Sequence, residues 1–417
     1  VREGYGPAWD GFVPDNATMI WYRLNVTLPP SWLDRALELQ LDGLNAEAVV
    51  YANGKRCGAI GYPFGTCEIT EGVKGSGTLD LRIMTVAGDD PATKYPYAIG
   101  RGLIGEVFLN SMPKAPRVKD LIAETSVRKN LLTLHTTLTG ITAAGTVTLT
   151  PRAYTNGVIA KEFPPHAVSV SAEPIVNISH GWTWSDPLLW DVGQPNLYDL
   201  ELEVRGCGLD DTFCRRIGFR EFWIDGRDMY LNGTPFRMRP MLVLHESPRW
   251  GAVLGFVPAM DGILSSFLWA GFNITEFWPN DEDEIGMCFF RDLYYERADE
   301  IGMPVMGSMS SVNKYLSTWP TSSNTYHRRL KKHMAHFRHH PSILMWVTSG
   351  NAGFSTQQDQ NPEFIGNRAY LEKSNSHYFY GTQMIAMIKQ LDPTRPATTH
   401  HGGSCGDMQT CNNYLDV

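Results

Sequence analysis

The sequence has no uninterrupted apolar run of about 18 residues, the length a helix needs to cross a bilayer, so no transmembrane helix and no membrane partner are expected. It has no surplus of basic residues. Thirty-six Lys and Arg stand against 44 Asp and Glu, and the net charge of −8 argues against a nucleic-acid partner. No signal-peptide pattern opens the chain, and Val1 is not an initiator, which gives the expectation that a leader has been removed. Aromatics, by contrast, are plentiful. Twelve Trp and 17 Tyr suit sugar-ring stacking at exposed positions, although most are expected to build β-rich cores.

Seven cysteines fall into three short-range pairs and one remainder. Cys57 with Cys67, Cys207 with Cys214, and Cys405 with Cys411 are each spaced to close a small disulfide loop, while Cys288 lies in an apolar stretch and reads as a buried free thiol. Asn-x-Ser/Thr sequons occur at Asn16, Asn25, Asn177, Asn232 and Asn273. Together with paired cysteines they predict a secreted, disulfide-bonded glycoprotein, glycosylated at Asn16, Asn25, Asn177 and Asn232. Asn273 is set apart because it falls in an expected buried strand.

Patterning divides the chain into three parts. Residues 1–115 carry short alternating runs such as "MIWYRLNVTL" and "GTLDLRIMTV", with Gly, Asn and Pro at the turns, and suit a jelly-roll β-sandwich. Residues 116–217 hold a second all-β unit of the size and rhythm of an immunoglobulin-like sandwich. From 218 to 417 the rhythm changes. Strand candidates at 236–245, 272–277, 303–309, 343–349 and 397–401 alternate with helical runs such as "CFFRDLYYERADEIG" and "YHRRLKKHMAHFRHHP", as in a (β/α)8 TIM barrel. Five strands leave the barrel incomplete within this chain, so a second polypeptide is one way to complete it.

Several segments resemble glycoside hydrolase family 2, which includes β-galactosidases, β-glucuronidases, β-mannosidases and exo-β-glucosaminidases. They are "AIGRGLIGEVFL", "IGFREFWIDGRDMYLNGTPFRMR", "GFNITEFWPND", "FFRDLYYERADEIGMPVM" and "HFRHHPSILMWVTSGN". The resemblance covers nearly the whole chain and implies the same order of domains. It also implies that an Asn touching the sugar 2-hydroxyl is followed by an acid/base Glu at the end of strand 4. Here Asn351 is followed by Ala352, and Glu276 on strand 2 stands where the family carries Arg. The family nucleophile, a Glu on strand 7, is expected beyond Val417. The departure at Ala352 is either natural or an engineered Glu-to-Ala inactivation.

Barrel chemistry sits at the carboxyl ends of the strands, which directs attention to a few residues. Asn351 suits a donor to a sugar hydroxyl or a turn cap. Asp359, in the polar loop after strand 4, could serve as the acid if burial raised its pKa, or could organise the loop. Glu276, followed by Phe277 and Trp278, could be an acid or a sugar ligand, or could pair with Arg237 or Arg239. His245 and Glu246 end strand 1, His400 and His401 end strand 5 beside Asp407, and Asn280 follows strand 2. These, with Trp278, are the expected substrate contacts. Glu363 follows a proline and suits the first turn of a helix.

No metal and no cofactor are expected. The "GRGLIG" stretch matches a dinucleotide fingerprint only formally, since it lacks a following helix. "HMAHFRHH" suits a helix C-terminus as well as a ligand face, and "NDEDE" does not fit an EF-hand loop. The reading is a secreted exo-acting glycoside hydrolase cleaving a terminal β-linked sugar from a glycan or polysaccharide. Its catalytic candidates are Asp359 and Glu276. The alternatives are a glycan-binding protein that has lost catalysis, and a lyase-type enzyme on the same scaffold.

Overall fold

A computed structural model describes residues 19–45, 47–61, 64–86, 102–103, 106–243, 257–277, 291–308, 323–348, 376–399 and 406–408. The first unit is a two-sheet sandwich. One sheet orders Met19–Thr27, Thr78–Val86, Glu47–Ala52 and Lys55–Gly61; the facing one orders Gly65–Glu68, Ala36–Leu41 and Val107–Met112. Neighbours run antiparallel throughout. The alternating strands place Leu39, Leu41, Ala48, Val50, Leu79 and Ile83 in one closed core while their other faces meet water.

Gly102, the one glycine of "GRGLIG" among the described residues, has a packing role. It lies in the short strand Gly102–Leu103, paired with Leu44–Asn45, at φ +86°, and a Cβ there would fall 2.3 Å from the Tyr22 hydroxyl.

The second unit pairs Arg117–Ser126, Leu131–Thr139 and Ile175–Thr183 in one sheet. The other runs Val158–Glu162, Gly145–Thr155, Leu197–Gly206 and Leu209–Gly218, with His166–Val170 also on Gly145–Thr155. Leu121, Leu132, Leu134, Val147, Leu149, Leu200 and Leu202 fill the space between, joined by Trp182 and Trp184. Strands Leu197–Gly206 and Leu209–Gly218 of this core close through Gly206, Cys207 and Gly208, all at positive φ.

The third unit contains five parallel strands in sequence order, Pro240–Val243, Ile274–Phe277, Val305–Ser308, Ile343–Thr348 and Ala397–Thr399. At their starts the first three are shorter than the apolar runs suggested, pairing from 240, 274 and 305 where the runs begin at 236, 272 and 303; residues 244–245, 309, 349 and 400–401 lie outside the described residues. Helices Val257–Trp269, Arg291–Ile301, Ser323–Phe337 and Ser376–Leu391 lie between successive strands and bury their apolar stripes on one side of the sheet. No helix among the described residues is long and apolar enough to cross a membrane.

The expected disulfides are not formed where the structure describes them. Cys57, Cys67, Cys207 and Cys214 are all free. Cys207 sits in the hairpin turn while Cys214 lies five residues down the returning strand from Leu209, roughly 16 Å away at about 3.3 Å per residue. A disulfide tolerates no more than about 7 Å between Cα atoms. Cys57 and Cys67 share the first core, but their sulfurs approach different backbone carbonyls, those of Lys55 and Glu68. Burial raises both thiol pKa values, so each behaves as a small apolar side chain. Cys405, Cys411 and Cys288 lie outside the described residues.

Candidate functional site

Strand alternation decides which side chains face the barrel interior. On strand Ile274–Phe277, the Thr275 hydroxyl lies 2.6 Å from the Tyr294 hydroxyl on helix Arg291–Ile301, so Thr275 faces the helix layer. Ile274 and Glu276 therefore point the other way, into the barrel. On Val305–Ser308 the alternation sends Val305 to the helix-side core and Met306 inward. On Ile343–Thr348 it is interrupted once. Ile343 and Trp346 join the helix-side core, while Met345 and Val347 cluster with Met306, Met238 and Met408, and the change of parity coincides with a register shift where Val305 pairs Ile343 but Met306 pairs Met345. Glu276 is in register with Leu242 on one side and Met306 on the other. A half-buried carboxylate thus rises near the carboxyl end of strand 2 beside methionine side chains. Thr398, in register with Val347, closes the described wall.

The run "HPSILMW", by contrast, carries structure rather than chemistry. His340 and Ser342 lie before strand Ile343–Thr348, at the opposite end from the carboxyl rim. His340 Nδ1 is 2.6 Å from Asp299 Oδ2, and the Ser342 amide donates to Asp299 Oδ1 at 2.9 Å. Trp346 faces the helices. Its indole N–H donates to Asp392 Oδ2 at 2.8 Å, and its ring leaves no room for a Cβ at Gly307.

Asp392 is fully buried and also accepts from Arg395 Nη1 at 2.7 Å. Burial alone would raise the Asp392 carboxyl pKa; Arg395 and Arg338 outweigh it and hold it below the usual carboxylate range. Arg395 donates in turn to the carbonyls of Ile343, Arg338 and His340. This network was missed in the sequence. The signal was there in "DPTRP", an acid and an arginine three residues apart just before the fifth strand.

The second unit grips the same end of the barrel. Arg220 leaves that unit and donates to the carbonyls of Pro341 and Ile343 at 2.9 and 2.6 Å. Trp190 donates to the Asp299 carbonyl at 2.8 Å, and Arg338 pairs with Glu124. Glu124 also meets His135 Nε2, whose Nδ1 lies 2.7 Å from the Ser179 hydroxyl.

Of the predicted catalytic and substrate-binding residues, only Glu276 falls among those the structure describes. Asp359, Asn351, Ala352, His245, Glu246, Trp278, Asn280, His400, His401 and Glu363 lie outside them, as does the run 280–284. Asp407 is not a rim group. Its carboxylate accepts from the Ala397 amide at 2.8 Å and pairs with Lys389, pinning the start of strand 5.

The histidines of "HMAHFRHH" pack among aromatic rings: His333 against Phe337 and Trp346, His336 against Phe64 and Phe337, and His339 against His340, whose Nδ1 meets Asp299. No cluster of three or more His, Cys, Asp or Glu suited to a metal occurs among the described residues.

Of the sequons, Asn25 and Asn177 are exposed on strands, and Asn16 lies outside the described residues. The Asn232 amide nitrogen donates to the Trp190 carbonyl and to Asp191, so the fold uses that side chain to lock a turn. Asn273 is buried and bridges the Arg237 carbonyl and the Arg239 amide.

Comparison with known proteins agrees with this architecture. Residues 118–220 match the profile described as Glycosyl hydrolases family 2, and residues 221–416 match Glycosyl hydrolases family 2, TIM barrel domain. A Formosa agariphila protein provisionally named a beta-glucuronidase is 26% identical over 400 residues, covering 90% of this chain and 44% of that protein. A Vibrio vulnificus beta-galactosidase is 23% identical over 426 residues, covering 94% of this chain and 37% of its own length. The chain therefore spans less than half the length of these curated relatives. The crystal structure of Bacteroides uniformis beta-glucuronidase superposes with a TM-score of 0.68 at 21% identity, over 92% of this chain and 46% of that one. At that identity the likeness shows a shared fold.

Proposed function

The chain belongs to glycosyl hydrolases family 2, and from that premise we propose that the protein acts as a secreted, exo-acting glycoside hydrolase on a terminal β-linked sugar of a glycan or polysaccharide. The observation that supports this most is the placement of Glu276. A carboxylate faces the barrel interior near the carboxyl end of strand 2, where barrel enzymes hold their chemistry. The names of the matched relatives, beta-glucuronidase and beta-galactosidase, favour a β-glycoside substrate.

Glycoside hydrolysis needs an acid to protonate the leaving oxygen and a second carboxylate to attack the anomeric carbon or activate water. With Ala352 unable to donate a proton, Asp359 is assigned as the acid, and Glu276 as a substrate-facing carboxylate able to replace it. Asn351, His245, Glu246, Trp278, Asn280, His400 and His401 are assigned to the sugar.

The test is turnover of a panel of aryl β-glycosides, with the glucuronide and galactoside included. Activity lost in Asp359→Asn and retained in Glu276→Gln supports the assignment; the reverse pattern moves the acid to Glu276. The presence of Ala352 favours a second reading, a glycan-binding protein without catalysis. Glycan binding with no turnover on any panel member, measured on the full-length protein, would overturn the enzyme reading in favour of that one.

A further inference from the structure

A cavity of about 460 Å³ lies where the first sandwich meets the second. Its size falls within the range of small-molecule sites, about 300–1,000 Å³. The walls come from both units. Trp32, Arg35 and Lys74 belong to the first sandwich, Lys114 to the connecting segment, and Arg117 and Thr139 to the first two strands of the second. This cavity is separate from the barrel interior and has no part in the chemistry assigned there.

Its charge runs against the rest of the molecule. The chain carries a net −8, yet four cations, Arg35, Lys74, Lys114 and Arg117, line this space against two carboxylates, Glu68 and Glu71. Only one pair is close. Arg117 meets Glu68 at 3.2 Å, and Glu68 is held from its other oxygen by the Thr70 hydroxyl at 3.0 Å. Arg35 is oriented by Ser111, its Nε donating to the hydroxyl at 2.7 Å and its Nη2 to the carbonyl at 3.4 Å; neither bond neutralises its charge. Lys114 faces Asp34 at 3.9 Å, with both side chains widely exposed, a geometry that contributes little. Lys74 is exposed and has no ion-pair partner among the described residues. Three cations thus remain largely uncompensated around one opening.

The apolar part is as specific. Trp32 is half-buried, its base packed on the first core, and Leu33 beside it is 49% exposed. An aromatic face next to guanidinium and ammonium donors matches one class of ligand especially well. A pyranose uronate has an apolar ring face for stacking and a carboxylate on its edge for a bidentate or charge-assisted bond. We propose that this junction groove is an ancillary binding site for an anionic, uronate-containing oligosaccharide. It would hold an acidic polysaccharide on the sandwich pair independently of hydrolysis in the barrel.

The test needs no turnover, so its failure and the failure of the hydrolase reading are distinguishable. Migration of the purified full chain is followed by affinity electrophoresis in gels containing polygalacturonate, neutral dextran or dextran sulfate. The expected result is retardation by polygalacturonate and none by dextran. The double variant Lys74→Glu/Lys114→Glu should weaken retardation about tenfold, and because both lysines are exposed it should keep the native circular-dichroism spectrum. Trp32→Phe should retain most of the binding, while Trp32→Ala should lose it. Three results would overturn the proposal: no retardation by polygalacturonate, equal retardation by dextran sulfate that salt abolishes in parallel, or retardation unchanged in the lysine variant.

Discussion

Removing the Asp392 carboxylate should destabilise the barrel unit by about 3 kcal/mol, and the figure follows from what the carboxylate holds. It is fully buried and satisfies the Trp346 indole N–H at 2.8 Å and Arg395 Nη1 at 2.7 Å. Breaking a buried ion pair by deleting one partner costs about 3–5 kcal/mol, because the remaining charge stays buried. Arg395 would keep three backbone carbonyls, those of Ile343, Arg338 and His340, so Asp392→Ala belongs near the lower end of that range. Asp392→Asn retains an acceptor for Trp346 and loses only the charge, which suggests about 1–2 kcal/mol.

The assay is urea unfolding followed by tryptophan emission. A loss of about 3 kcal/mol would lower the midpoint by roughly 1–2 M for an ordinary slope. The pH dependence supplies a second check. The folded carboxyl pKa lies below its unfolded value near 3.9, so its stabilisation is present above that value and fades as pH falls through and below it. The gap between the native chain and Asp392→Asn should therefore narrow as pH is lowered from about 5 towards 3. A midpoint shift under about 0.3 M for Asp392→Ala, or a gap that widens in acid, would refute the assignment.

Gly302→Ala should destabilise by about 2 kcal/mol or more, since φ is +76° and a Cβ would sit 2.8 Å from three backbone atoms of residues 191–194; thermal unfolding measures it. Thr275→Val should remove the bond to Tyr294 and cost about 1–3 kcal/mol, read from the denaturation midpoint. Burial raises the Tyr294 hydroxyl pKa more than the Thr275 bond lowers it, so in alkaline titration at 295 nm one tyrosine should ionise only when the protein unfolds.

Alternating apolar positions in "TLDLRIMTV" and "LLTLHTTLT" placed sandwich strands at 78–86 and 131–139, because a half-buried antiparallel strand declares its period in the sequence. The barrel strands were legible as apolar runs, but three of them were begun too early, since an apolar run does not mark where pairing starts. Cysteine spacing misled. Cys207 and Cys214 are close in sequence, but a straight strand lies between them. The orientation of Glu276 followed from neither spacing nor composition. It needed Tyr294 on the adjacent helix to fix which face Thr275 takes. Likewise "HPSILMW" was recognisable as a run, but its role emerged only from partners at 299 and 392, far away in the chain.

Arg220, Trp190 and Arg338 fasten the second sandwich to the end of the barrel where strands begin, the end opposite Glu276. Anchorage and chemistry are therefore assigned to different poles of one sheet. A substitution at Glu276 alters none of these anchoring contacts. The scaffold can thus tolerate new residues on its rim without first reinventing its foundations, and a rim built on such a base is free to change substrate, or to abandon one, while the rest of the molecule goes on folding as before.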